Sequence, residues 1–542
     1  MPSKSFKRRT LFALATAVAA LGLVNQVNAV DVDKLLQADL DLGLCNGINL
    51  REATIQDLQY AFENNLLSSH QLTKCYLDRI KVMNPHLNAI IEVNKDALEI
   101  AENLDKERKQ KGSRGPLHGI PILVKDNVAT RDGMETGAGS LALVGAKPKQ
   151  DATVVAKLRK AGAIILGKSN MSEWANFRSM SSVEAWSARG GQTHDAYILS
   201  AQPSGSSSGS AVAVAANLAV AALGTETDGS IIAPAARNAA VGLKPTVGVT
   251  SRAGVIPISS TQDSIGPITR TVTDAAIIMN AIAGFDPRDD ATKKMKKVPD
   301  YGRSLRRDGL KNVRIGIPRK PYWTAKSIKS QLFQLENALT LMRNLGARIR
   351  DNSEIPTADK LNSDEWVWFD SELNVCLTEF KVGLNNYLQN ELESSPVRSL
   401  ADIIEFNEKH KDKEMKLFGQ DLLIRSQATK GLEDPEYLKS RSTNLKLARE
   451  MGIDKVLNDY NLDVLVVPSE PLAPETTPAA VAGYPMITLP FGYDEDGLPL
   501  GISFIGRAYS EQLLLKIGYA FEQATRARVP PNYKKCCSKV DI

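Results

Sequence analysis

A chain of 542 residues, 43% of them hydrophobic, can bury a sizeable core, and length alone leaves room for one large α/β unit or up to three average domains. Lys and Arg number 67 against 62 Asp and Glu, a formal charge of +5. Four of those positive charges (Lys4, Lys7, Arg8 and Arg9) and no acidic residue fall in the first 29 residues, so the remainder carries only +1. That balance argues against a nucleic-acid partner, which requires a strongly basic face.

Residues 1–29 read as a signal peptide. Basic residues precede an apolar run from Leu11 to Val24, and Val27-Asn28-Ala29 offers a small-residue cleavage site. The run is 14 residues long, short of the ~20 that a spanning helix needs. The expectation is export to the periplasm or beyond, with residues 30–542 as the mature chain and no membrane anchor after cleavage. Arg8-Arg9-Thr10-Leu11-Phe12 loosely resembles a twin-arginine signal, which leaves the export route open.

From Thr54 the pattern reads helix, helix, strand, helix. Thr54-x-x-Asp57 and Ser68-x-x-Gln71 are helix starts, Leu87 to Val93 is the first strand, and Asn94 is the expected cap of a charged helix ending near Lys111. Ile120 to Val124 is an apolar strand with Lys125 at its end, and Ala163 to Leu166 is another. Ala211 to Leu218 reads as a helix and Val220 to Leu223 as a buried strand. A helix follows near Asp274 to Gly284, then a strand at Val313 to Ile317, and a helix with an apolar stripe from Ile328 to Leu345 that Gly346 stops. The lysine-rich run Lys293 to Lys297 reads as a solvated linker. Residues 360–460 read as Glu- and Lys-rich helices, a helical layer inserted over the sheet. Leu462 to Pro468 is a strand, Ile487 to Leu489 and Leu500 to Ile505 flank the turn Asp496-Gly497, and a final helix runs from Glu511 to about Arg526. Alternating strands and helices predict an α/β fold with a largely parallel or mixed sheet covered on both faces. Cys45, Cys75, Cys376, Cys536 and Cys537 lack metal-ligand spacing; export permits disulfides without specifying them, and the odd count leaves at least one thiol unpaired within the chain.

The stretch from Pro203 to Asn238 concentrates hydroxyls and glycines around Ala-rich segments. Its polar turn Thr225 to Gly229 ends at Ser230, at a strand-to-helix junction where free N–H groups can face a developing oxyanion. The alternative is a Gly/Ser loop capping two ordinary helices. Gly205-Ser206-Ser207-Ser208-Gly209 also fits G-x-S-x-G, the nucleophile elbow of α/β-hydrolases, with Ser207 as nucleophile. That motif needs Asp and then His downstream, and His410 is the only later histidine.

Gly205-Ser206-Ser207, T-E-T-D-G-S-I-I-A-P-A from Thr225 and V-G-L-K-P-T from Val241 resemble the amidase signature family, whose members carry G-G-S-S-G-G, T-D-T-G-G-S-I-x-x-P and G-L-K-P-T. The family's two serines stand 24 residues apart, the spacing of Ser206 and Ser230. Gly115 to Asn127 and Thr261 to Pro267 match as well, and the resemblance runs from about Asn49 to Arg528. It implies a single α/β/α sandwich around a large mixed sheet and amide hydrolysis without metal or cofactor. It also implies Ser230 as nucleophile, Ser206 as a bridging hydroxyl after a cis Gly205–Ser206 bond, and Lys125 as base. The N–H groups of Thr227, Asp228, Gly229 and Ser230 would receive the oxyanion. Ser204, Ser208 and Asp228 stand where the family has glycine, and Ile232 where many members have Arg; a carboxylate at Asp228 would repel an oxyanion unless it points away.

Glu173 to Arg178 (E-W-A-N-F-R), Trp186 to Thr193 and the form T-E-T-D-G-S-I resemble the peptide amidase branch, which implies a peptide bearing a C-terminal carboxamide as substrate. Trp174 and Trp186 read equally as core aromatics, and Arg178 and Arg189 as surface or ion-paired groups. Fatty-acid and other small amides, transamidation beside a partner subunit, and a non-catalytic binding protein on the same scaffold are the other readings.

Overall fold

The computed structural model describes residues 43–324, 326–361, 369–469 and 474–533. The expected signal peptide, Cys536 and Cys537 lie outside the described residues. Eleven strands form one mixed sheet: β1 (Ile90–Val93), β2 (Pro121–Lys125), β3 (Ile164–Ser169), β4 (Ala221–Glu226), β5 (Val241–Lys244), β6 (Ser264–Thr269), β7 (Arg314–Gly316), β8 (Arg348–Arg350), β9 (Val464–Ser469), β10 (Met486–Tyr493) and β11 (Pro499–Ile505). Their order is β8-β7-β9-β11-β10-β5-β6-β4-β2-β3-β1. β2 runs parallel to both β3 and β4, whereas β4, β6, β5, β10 and β11 pair antiparallel in succession. Helices pack around this sheet, so the expected α/β/α sandwich is the observed fold.

The strands nearest the polar cluster are buried along their whole length. Every residue of β2, β3, β4 and β6 is buried. Such strands read as continuous apolar runs, because both faces carry helices. β4 runs three residues beyond the expected Leu223, since Gly224, Thr225 and Glu226 pair with Gly266, Ile265 and Ser264 of β6.

Thr54 and Ser68 each close a capping box, with Asp57 and Gln71 bonding back to the cap N–H. Asn94 does not cap the next helix, which spans Ala97–Lys111 after Asp96. Its amide instead donates to Ile165 O at 2.8 Å and accepts from Asp96 N at 3.0 Å, tying the chain to β3. The helix expected at Ala211 to Leu218 spans Ser208–Ala215. It begins three residues earlier, and Gly209 lies against the ends of β1 and β3, where an added Cβ would sit 2.2 Å from Ala89 O.

Between 358 and 459 the described chain is mainly helical, including Asp370–Asn386, Leu400–Lys409 and Pro435–Leu445. A short strand, Leu392–Ser394, interrupts it and pairs with Lys147–Pro148. This layer has its own apolar cluster, in which Phe380, Leu384 and Leu388 meet Trp174, Phe177 and Leu143 of the sheet domain. Cys45 and Cys75 form a disulfide, Cα to Cα 5.9 Å, and Cys376 is a buried free thiol. Near the C-terminal end, Arg528 reaches back to Glu52 at 2.7 Å and to the carbonyls of Ala239 and Ala215 at 2.7 and 3.2 Å.

Candidate active site

β2 and β4 lie side by side, with Val124 opposite Leu223. β2 therefore ends at Lys125 where β4 runs into the turn that carries Ser230. The Lys125 amine is fully buried and contacts Ser206 Oγ at 2.8 Å, Ser207 Oγ at 2.9 Å and Thr225 O at 3.1 Å. Burial brings its pKa down to about 7, against the opposing pull of Glu226, Asp263 and Glu184. A neutral amine has two N–H bonds and one lone pair. Ser207 Oγ already donates to Thr225 O at 3.1 Å, so it accepts from Lys125, and Thr225 O accepts the second N–H. The lone pair is left facing the Ser206 hydroxyl.

The Gly205–Ser206 bond is cis, as the resemblance implies. A Cβ on residue 205 would lie 2.4 Å from both Glu184 Oε2 and Ser172 Oγ, so only glycine fits there. Ser207 N donates to Ser230 O at 3.2 Å, which joins the two serine segments. Ser206 and Ser207 are 0% exposed and Ser230 is 8% exposed, so of the three only Ser230 is open to a solute. Among the described residues its hydroxyl has no hydrogen-bond partner, and Ser206 and Ser230 are not bonded to each other. Ser207 lacks the setting of a nucleophile elbow: it is buried, both its lone pairs and its hydrogen are used within the site, and no strand leads into it. His410 is exposed at a helix end, with its ring on Phe406 O at 2.9 Å.

The turn from Thr227 to Ser230 is held from several directions. Glu226 Oε2 accepts from Ile231 N at 2.6 Å and Ile232 N at 2.9 Å, and Gly229 N also faces this carboxyl. Thr227 Oγ1 donates to Asp263 Oδ1 at 2.6 Å, and Gln262 Nε2 reaches Thr227 O at 3.4 Å. Asp228 turns its carboxyl away from the backbone donors: Thr476 Oγ1 donates to it at 2.5 Å and Thr477 Oγ1 at 2.8 Å. Burial raises its pKa to about 7. Among the described residues nothing accepts the N–H groups of Thr227, Asp228 and Ser230, so these donors stand free.

Arg178 is buried, paired with Glu173 at 2.5 Å and Glu414 at 3.4 Å, and lies 3.9 Å over the Phe418 ring. Arg189 pairs with Asp126 at 2.7 Å and with Glu92. Both are internal ion-paired groups. Trp174 is buried and meets Phe380 edge-on at 6.4 Å, the core-aromatic reading, whereas Trp186 is partly buried and meets Phe418 edge-on at 5.4 Å. Glu226, Asp263, Thr476 and Thr477 were not legible as site residues: Thr261 to Pro267 stood out as a motif without a role, and Thr476-Thr477 carried no signal.

The profile of the Amidase family matches residues 71–515. The chain belongs to this family. The enzyme is 46% identical over 498 residues to an Arabidopsis thaliana protein named as a probable amidase, covering 90% of this chain and 93% of that one. It is 34% identical over 498 residues to a glutamyl-tRNA(Gln) amidotransferase chain from Geobacter metallireducens, covering 88% and 98%. Among solved structures, native peptide amidase from Stenotrophomonas maltophilia superposes with a TM-score of 0.84 at 47% identity, over 89% of this chain and 99% of that one. Peptide amidase bound to the competitive inhibitor chymostatin gives 0.83 at 47%, with the same coverage. An amidase needs an activated nucleophile, oxyanion donors and an acid for the leaving nitrogen, and the cluster at Lys125 brings together serine hydroxyls, free backbone N–H groups and a buried amine.

Proposed function

We propose that the enzyme is an exported hydrolase that removes C-terminal carboxamides from peptides through a Ser230–Ser206–Lys125 relay. The observation that carries the relay is the buried, neutral-prone Lys125 amine, whose lone pair is left for Ser206 once Ser207 and Thr225 O have taken its N–H bonds. Ser230 Oγ attacks the amide carbon as its proton passes to Ser206 and the Ser206 proton passes to Lys125. The oxyanion is received by the free N–H groups of Thr227, Asp228 and Ser230. Ser206 then protonates the leaving nitrogen and regains a proton from Lys125, the C–N bond breaks and ammonia departs. Water repeats the sequence on the acyl-serine and releases the acid.

The substrate class is supported by 47% identity over nearly the whole of a peptide amidase and by that protein's binding of chymostatin. Export is supported by the N-terminal charge and apolar pattern and by the Cys45–Cys75 disulfide, a bond that persists in oxidising compartments. Mass spectrometry of an amidated peptide tests the reading. The expected product differs only by –NH₂ becoming –OH at the C-terminus, with ammonia released and internal bonds intact. Internal fragments would indicate a peptidase, and an intact peptide beside a cleaved long-chain acyl amide would place the substrate among lipid amides.

A further inference from the structure

The relay leaves one carboxylate beside it unused. Ser172 N donates to Ser206 O at 3.1 Å, which brings the segment after β3 against the bridging serine. That segment then makes a turn in which Trp174, Ala175 and Asn176 all have positive φ, at 51°, 54° and 70°. Non-glycine residues rarely adopt this conformation, and three in succession persist only where the surroundings impose them. The turn aims Asn176 Nδ2 at Glu184 Oε1, 2.5 Å away, while Ser172 Oγ donates to Glu184 Oε2 at 3.2 Å. Ser172 Oγ in turn accepts from Ala185 N at 2.8 Å, which fixes its hydrogen toward the carboxylate. The partly buried carboxylate is thereby laid on Gly205, the residue preceding Ser206. Among the described residues no Lys or Arg forms an ion pair with it; burial pushes its pKa up, while the bonds from Ser172 and Asn176 and, more weakly, Lys125 pull it down.

The leaving nitrogen must approach Ser206 Oγ to collect its proton, and Glu184 lies against Gly205, the residue that precedes Ser206. A carboxamide nitrogen carries two N–H bonds that the proton transfer does not use. A carboxylate held by one donor on each oxygen still has lone pairs to accept them. The nitrogen becomes more positive as the C–N bond weakens, which strengthens a bond to an anionic acceptor in the transition state above its ground-state value. An ester oxygen brings no N–H to this place.

We propose that Glu184 is the acceptor for the N–H bonds of the leaving –NH₂, and so sets a preference for primary amides over esters at this site. Glu184 takes no proton; it accepts hydrogen bonds while Ser206 protonates the nitrogen. This rests on the Ser206 relay described above. The experiment compares kcat/KM for a peptide amide and the methyl ester of the same peptide in wild type, Glu184→Gln and Ser172→Ala. Loss of one charge-assisted bond predicts that Glu184→Gln lowers the amide value about tenfold to 100-fold, with the ester value held within about threefold. Ser172→Ala, which frees one carboxylate oxygen from its donor, shifts the ratio in the same direction by less. A loss shared equally by amide and ester, or an unchanged ratio in both variants, would overturn the proposal. The ratio can be read on any acyl group whose primary amide the wild type accepts. A wild type inert toward the peptide amide but active on another amide therefore overturns the substrate reading alone, and one inert toward every amide and ester overturns both.

Discussion

Lys125→Met removes a buried amine whose neutrality the fold must enforce, and the effect on stability can be worked out with its sign. Between pH 7 and 10.5 the unfolded chain binds a proton at this lysine that the folded chain does not, so the wild type gains about 1.4 kcal/mol of stability per pH unit across that window. At pH 7 the accumulated cost of the lysine is about 5 kcal/mol, and at pH 9 it is about 2. Methionine fills most of the same volume without that cost, but it abandons contacts to Ser206, Ser207 and Thr225 O, about 1 kcal/mol each and independent of pH. The variant is therefore expected to be inactive, about 2 kcal/mol more stable than wild type at pH 7, and about 1 kcal/mol less stable at pH 9. Urea unfolding followed by tryptophan fluorescence at three pH values across this range measures the difference. A difference that stays constant with pH would show that Lys125 is not held neutral by the fold, and the relay would lose its base.

Ser230→Ala should abolish labelling by a fluorophosphonate probe while Ser207→Ala retains it; the reverse pattern would move the nucleophile to Ser207. Glu226 is the strongest charge raising the pKa of Lys125, so Glu226→Gln should make the amine neutral at lower pH. The acidic limb of kcat/KM then moves below its wild-type position near 7, alongside a fall in kcat from the loosened turn. A limb that stays in place would separate Glu226 from the relay. Replacing Cys45 and Cys75 together by Ala opens a loop with a sequence separation of 30 and should cost about 3 to 4 kcal/mol, read as a lower urea midpoint with catalysis unchanged below the transition. An unchanged midpoint would mean that the bridge contributes nothing to the folded enzyme.

What could be read from the sequence was local or repeated a known spacing. Thr54 and Ser68 announced their helices because capping boxes are written within four residues. Lys125 stood out because it follows an apolar strand, and Ser206 and Ser230 because of their separation. Asn94 misled because an Asn before a charged helix looks the same whether it caps the helix or ties to a strand. The start of helix Ser208–Ala215 was hidden because Gly and Ser are poor helix formers in isolation. Here their small size is what allows contact: Ser210 Oγ reaches Leu223 O at 3.0 Å and Ser169 Oγ at 2.7 Å. The groups that hold the Ser230 turn were invisible for a further reason. Thr476 and Thr477 meet Asp228 across nearly 250 residues, and no local pattern encodes a contact that only the sheet order brings together.

Arg528 clasps the carbonyls of Ala215 and Ala239, at the far ends of the two short helices that follow Ser206 and Ser230, and also grips Glu52 near the beginning of the described chain. That arginine is made 289 residues after Ala239 and 313 after Ala215. Until then both helices lack this contact, and Glu52 lacks this partner. Ser206 and Ser230 are thus made long before the clasp behind their helices, so a chain still in synthesis would hold the residues of the site without the arginine that ties those helices together.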